Sequence, residues 1–217
     1  MNEFIKNNIV IVAHNLNPSI FTQIWLVKNN IINENDFLSD SLFTSAVVSV
    51  NTNDLQLLVV PERIQLTFKN KETQEKLINE VLRKIVNLLP HTPYSAIGFN
   101  FELILEPVDL KEFPKITKSI FVSDRNPLVT FFDNEDSRFG IVMTREVEKM
   151  RLNLNIRPVE KITESGKEEA LKFIFNFNKN LEPESALETI NAILNSWTIA
   201  KEMCDKIIKK MGAEWKI

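Results

Sequence analysis

Two histidines, His14 and His91, and a single cysteine, Cys204, are the first places to look for general-base or nucleophilic chemistry in this chain. A base needs a nucleophile in reach and a third group to orient it. His14 closes an apolar run and His91 follows Pro90; neither carries a spaced acidic or nucleophilic partner, so each reads as a surface or capping residue. Cys204 stands between Ala200 and Ile207 on an apolar helical stripe, where a thiol serves as a small, inert hydrophobe. The densest set of oxygen ligands is Asp133-Asn134-Glu135-Asp136-Ser137. A calcium loop would need glycine at its sixth position, and Arg138 stands there, so the segment reads as a solvated turn. No metal and no cofactor are expected.

Phosphate chemistry is equally short of material. The four glycines, Gly98, Gly140, Gly166 and Gly212, are too far apart to frame a phosphate-cradling loop or a nucleophile turn. What remains is a polar row. In the segment 149–157, Lys149, Arg151, Asn153, Asn155 and Arg157 alternate with Met150, Leu152, Leu154 and Ile156, and Asn100 and Glu102 make a similar pair between Phe99, Phe101 and Leu103. If both segments border one cleft, Asn100, Glu102, Arg151, Asn153 and Asn155 would line it, and these five are the candidate binding residues. Sheet faces that read nucleic acid also present aromatic rings for stacking. This row has none, so nucleic acid is not an expected partner.

Positioning such residues requires strands. Ile9–Ala13, Ala46–Val50, Leu55–Val60, Arg63–Lys69 and Ala96–Leu105 read as strands from their β-branched content or their alternation. A helix from near Lys71 to Leu89 carries a broad apolar stripe and stops at Pro90. Residues 106–127, with Pro107, Pro114 and Pro127, read as a crossover. Strands then recur at Leu128–Asp133, Phe139–Thr144, Lys149–Val159 and Ala170–Asn178, with a polar loop over Lys161–Lys167. In the first of these, the consecutive Phe131 and Phe132 would point to opposite faces, both of them covered. A long helix from Pro183 to about Met211 closes the series, with Leu187, Ile190, Leu194, Trp197, Ala200, Cys204, Ile207 and Met211 on its stripe.

This order predicts an α+β fold. Antiparallel sheet, in two similar meander-plus-helix halves, carries long helices on one face. The 217 residues are expected to form a single compact domain, any two-lobe division falling at 106–127. The apolar fraction of 44%, the charged fraction of 25% and the net charge of −3 suit a soluble globular protein with no field to attract nucleic acid or anionic membrane. A lone cysteine and an N-terminus without a signal-peptide pattern place it in the cytoplasm by expectation.

The layout resembles a sporadically distributed, functionally uncharacterised prokaryotic family of α+β proteins. Four places carry the likeness: the meander Val48–Val60 leading through Arg63–Phe68 into a helix; Tyr94-Ser95-Ala96-Ile97-Gly98-Phe99-Asn100-Phe101; the alternating strand Met150–Ile156; and the terminal helix ending in Lys210-Met211-Gly212. The family's arginine-rich strand after the glycine is not matched, since Asn100 and Glu102 stand where basic residues would be. The resemblance implies a fold and brings no activity or site.

The expected function is therefore a non-enzymatic binding or assembly protein that self-associates as a homo-oligomer, most simply a homodimer. The apolar Trp215 and Ile217, beyond the helix-ending Gly212, are the candidate interface. The alternatives are a small-molecule-binding fold with an internal cavity beneath a helix, and an enzyme using scattered carboxylates. No membrane partner is expected.

Overall fold

A computed structural model describes residues 4–105, 112–123, 125–163 and 166–214. Among these residues nine strands form one sheet, every neighbouring pair antiparallel. In chain order they are β1 (Lys6–Ala13), β2 (Leu42–Phe43), β3 (Val48–Asn51), β4 (Leu55–Val60), β5 (Arg63–Phe68), β6 (Tyr94–Leu105), β7 (Ile141–Val147), β8 (Met150–Thr163) and β9 (Gly166–Asn180). Across the sheet the order is β2-β3-β4-β5-β1-β6-β9-β8-β7. β1 and β6 lie at the centre, in register as Ile9 with Phe99 and Asn8 with Asn100.

Alternation sorts the side chains into two faces. On one, Ile9 and Ile11 of β1, Ile64 and Leu66 of β5, Phe99 and Phe101 of β6, and Phe173, Phe175 and Phe177 of β9 are all fully buried. Burying each such phenylalanine contributes up to about 3 kcal/mol over leaving it in water. They share one apolar core with residues of the helices: α1 (Gln23–Lys28), α2 (Gln74–Leu77), α3 (Lys84–Leu88), α4 (Phe113–Phe121), α5 (Ala186–Leu194) and α6 (Trp197–Glu214). Trp197, at the start of α6, is the centre of this packing. Its ring lies 4.9 Å from that of Phe68, 5.2 Å from Phe99 and 4.7 Å from Phe101. Its indole N–H donates to Gln74 Oε1 at 3.2 Å.

The structure departs from the sequence expectation in several local places. Leu128–Asp133 is not a strand: Val129–Phe131 forms a 3₁₀ turn, and Phe131 and Phe132 are 78% and 52% exposed, not covered on two faces. Proline 127 offers no ladder donor, and the Asn126 side chain takes the Leu128 N–H, so local hydrogen bonding favours the turn. The helix expected from Lys71 begins at Gln74; before it, Asn70 accepts from Glu72 N and donates to Asp54. Its middle, Ile78–Arg83, is π-helical and joins α2 to α3. The last helix is two helices. Asn195 N–H and Ser196 N–H bond back three residues to Ala192 and Ile193, closing α5, while Arg83 binds Asn191 and Asn195 at the break. Of the expected loop Lys161–Lys167, the described residues are strand: β8 extends to Thr163, in register with Gly166, whose φ of 129° glycine alone tolerates. Gly140 is needed for a different reason: a Cβ there would collide with the Ile156 carbonyl oxygen.

Candidate functional site

The second face of the sheet holds the polar row. β6 presents Asn100 and Glu102, and β8 presents Arg151, Asn153 and Asn155, on the side opposite Phe99, Phe101, Leu152 and Leu154. The two strands are not neighbours. β9 runs between them, so about 10 Å separates them at the usual interstrand spacing. Registers align them all the same: Asn100 pairs with Asn176, and Asn176 with Asn153; Glu102 pairs with Ile174, and Ile174 with Asn155; Arg151 pairs with Asn178. The five residues named from sequence therefore occupy one face of the sheet.

Sequence reasoning missed the residues that join them. Asn178 Nδ2 donates to Asn176 Oδ1 at 2.9 Å, Asn176 Nδ2 to Asn100 Oδ1 at 2.7 Å, and Asn100 Nδ2 to Asn8 Oδ1 at 2.9 Å. Each amide in this chain polarises the next, and the whole is fixed in one orientation. The same row continues in register to both sides. From Asn8 it passes to Thr67, Gln56 and Asn51; from Asn176 it passes to Asn153 and Thr144. Every strand from β3 to β7 in sheet order thus contributes one uncharged hydrogen-bonding side chain to a single line. At about 4.8 Å per strand the line is roughly 34 Å long. Asn176 and Asn178 alternate with Phe175 and Phe177, so their outward direction was readable; that β9 lies between β6 and β8 was not.

Charge sits beside the line. Glu102 accepts from Lys172 at 2.6 Å and from Lys6 at 3.2 Å, with its own side chain 17% exposed. Partial burial pushes its carboxyl up, but hydrogen bonds from Lys172 and Lys6, and their charges, outweigh that and hold it below the ordinary glutamate range. Arg151 donates to Thr144 Oγ1 at 3.4 Å. Gly98 lies in register between Val10 and Asn178, where a Cβ would meet the Phe177 carbonyl oxygen at 3.1 Å.

The other residues weighed from sequence lie elsewhere. Cys204 is fully buried in the core, and burial pushes its thiol far above the ordinary range. His14 is exposed at the end of β1. His91 is exposed on the rim of a cavity of about 570 Å³ that also involves Tyr94, Ser185 and Glu188. The Tyr94 ring is buried there, and loss of solvation pushes its phenol up to about 12. Asp133 of the acidic turn is ion-paired with Lys118. Trp215 and Ile217, the candidate interface residues, lie outside the described residues. Among the described residues, no helix is long and apolar enough to cross a membrane. No protein-family model and no curated protein matches this chain.

Proposed function

We propose that this chain is a non-enzymatic binding or assembly protein that presents the helix-free face of its sheet to a partner and associates with itself. The in-register line of amides and hydroxyls carries this reading. In the hydrogen-bonded chain Asn100 and Asn176 each spend one donor and one acceptor on their neighbours, and the half-buried Asn100, Asn176 and Asn178 keep further N–H and lone-pair capacity for the outside. A line of such groups suits an extended, uncharged ligand rich in hydroxyls or amides. Fixing the side chains in advance lowers the ordering cost of binding, as preorganised surfaces do.

The sheet order also supports two halves of like design. β1, α1, the meander β2–β5 and the helix at 74–88 form one series; β6, α4, the meander β7–β9 and the helices α5 and α6 form the other. In each, the last strand of the meander returns beside the first strand, β5 against β1 and β9 against β6. The two first strands then pair with one another at the centre. On this reading the polar line crosses the seam between the halves, where Asn100 bonds to Asn8.

Side-chain amide resonances test the proposal. The protein is titrated with a neutral oligosaccharide and with an uncharged peptide rich in Ser and Asn, and the Asn Nδ2 signals are followed. Shifts that cluster on Asn100, Asn153, Asn155, Asn176 and Asn178, and vanish in N100A/N176A, support it. Shifts confined to the cavity beside His91 and Tyr94, with the face silent, would instead favour a small-molecule site.

A further inference from the structure

The sheet's two edges are built differently. One ends in β2, which is two residues long. Short edge strands are a common way of preventing one sheet from adding to another. The other ends in β7, seven residues paired with β8 without a register shift, and containing no proline. Its outer backbone edge is a template for another strand. Val142 is 62% exposed and Met143 46%, although Val142 lies on the polar face and Met143 on the core face. Beside the start of β7, Leu128 and Phe132 border a groove that runs from the end of α4 to Gly140, and both are more than half exposed, as is Phe131. Exposed aromatic and aliphatic groups gathered next to an open edge mark an interaction surface more than they mark scattered surface residues.

We propose that β7 is an assembly edge at which a second copy of this chain adds antiparallel, about a twofold axis at Thr144. The proposal rests on the reading of the chain as self-associating and names the surface responsible. Twofold pairing of a strand with its own copy places one residue against itself, and the sequence of β7 selects which. An axis at Arg145 or at Glu146 sets like charges directly opposite, which destabilises a sheet. An axis at Thr144 pairs all seven residues. Ile141 meets Val147, Val142 meets Glu146, Met143 meets Arg145, and Thr144 meets Thr144, with no like charges opposed. The arginine stem lies along the methionine, and the two threonines can hydrogen-bond. This register also joins the polar line of one copy to that of the other, because Thr144 is the line's last member. The apolar cluster of Leu128, Phe131 and Phe132 then stands beside the end of the partner's β7, where its exposed surface becomes buried.

Sedimentation and a targeted disulfide test it. Wild type should sediment as a dimer at micromolar concentration. V142E/M143K, which sets like charges opposite Glu146 and Arg145 in this register, should sediment as a monomer with an unchanged circular dichroism spectrum. T144C should form an intermolecular disulfide on mild oxidation, because residues on the axis lie about 4.5–5.5 Å apart between Cα atoms, within the range a disulfide spans. V142C should not, since two such residues lie about 14 Å apart. Cys204 is buried and does not compete. A monomeric wild type overturns both this proposal and the self-association reading. A wild-type dimer that survives V142E/M143K, or in which V142C crosslinks as readily as T144C, overturns the β7 edge alone. If the charge variant fails to fold, the pair of cysteine variants decides.

Discussion

Replacing Trp197 with alanine tests the central packing of the fold most directly. Trp197 is 2% exposed, and three phenylalanine rings from β5 and β6 surround it with centroids within 5.2 Å. Truncating a buried tryptophan costs about 3–5 kcal/mol through lost burial and the cavity left behind. A second cost follows from the hydrogen bond. Gln74 is 3% exposed, its Nε2 already has no partner, and its Oε1 accepts from the indole. Alanine leaves this side-chain amide buried without a partner, which costs a further ~1–3 kcal/mol where the site cannot admit water. The terms overlap, since a cavity this size can admit a water to Gln74, so the expected loss for W197A is about 4–6 kcal/mol. W197F keeps most of the ring packing and loses the donor, and should cost about 1–3 kcal/mol. Urea melts followed by far-ultraviolet circular dichroism read both without relying on tryptophan emission. The midpoints should fall in the order wild type, W197F, W197A with similar slopes. A loss below ~1 kcal/mol for W197A would refute the placement of α6 against β5 and β6.

Three further outcomes follow from side-chain placement. Ile208 is 6% exposed while Ile207 is only partly buried, so I208A should cost about 2–4 kcal/mol and I207A distinctly less in the same melts. The sequence stripe names Ile207, and equal losses would show that the helix is rotated from its position here. Glu102 has its pKa lowered in the folded state, so its contribution is present above the ordinary glutamate range and is lost as pH falls through the depressed value; the stability gap between wild type and E102Q should be full at neutral pH and close on acidification, and a gap unchanged down to the acid limit would refute the Lys6–Glu102–Lys172 cluster. Cys204, buried and with its thiol pushed upward, should react with a thiol reagent only after denaturant unfolds the chain, and rapid labelling of the native protein would contradict its burial.

Much of the fold is legible because alternation is a local signal. Phe99, Phe101 and Leu103 against Asn100 and Glu102, or Leu152 and Leu154 against Arg151 and Asn153, state which side of a strand is buried before any partner is known. The same signal named five residues of the polar face correctly as outward-pointing. Local rules failed where short-range hydrogen bonds compete, as at Asn126–Phe132, and where a distant group intervenes, as when Arg83 reaches the break between α5 and α6. Strand order is different in kind. That β9 separates β6 from β8, that β1 lies beside β6, and that Asn8 therefore meets Asn100 depend on pairings between residues up to 96 positions apart. Such pairings are settled by how the apolar faces pack together with the helices, and no window of sequence contains that information. The sequence determines the two faces of each strand; the tertiary structure decides which strands are neighbours, and so turns separate outward-facing asparagines into one hydrogen-bonded line.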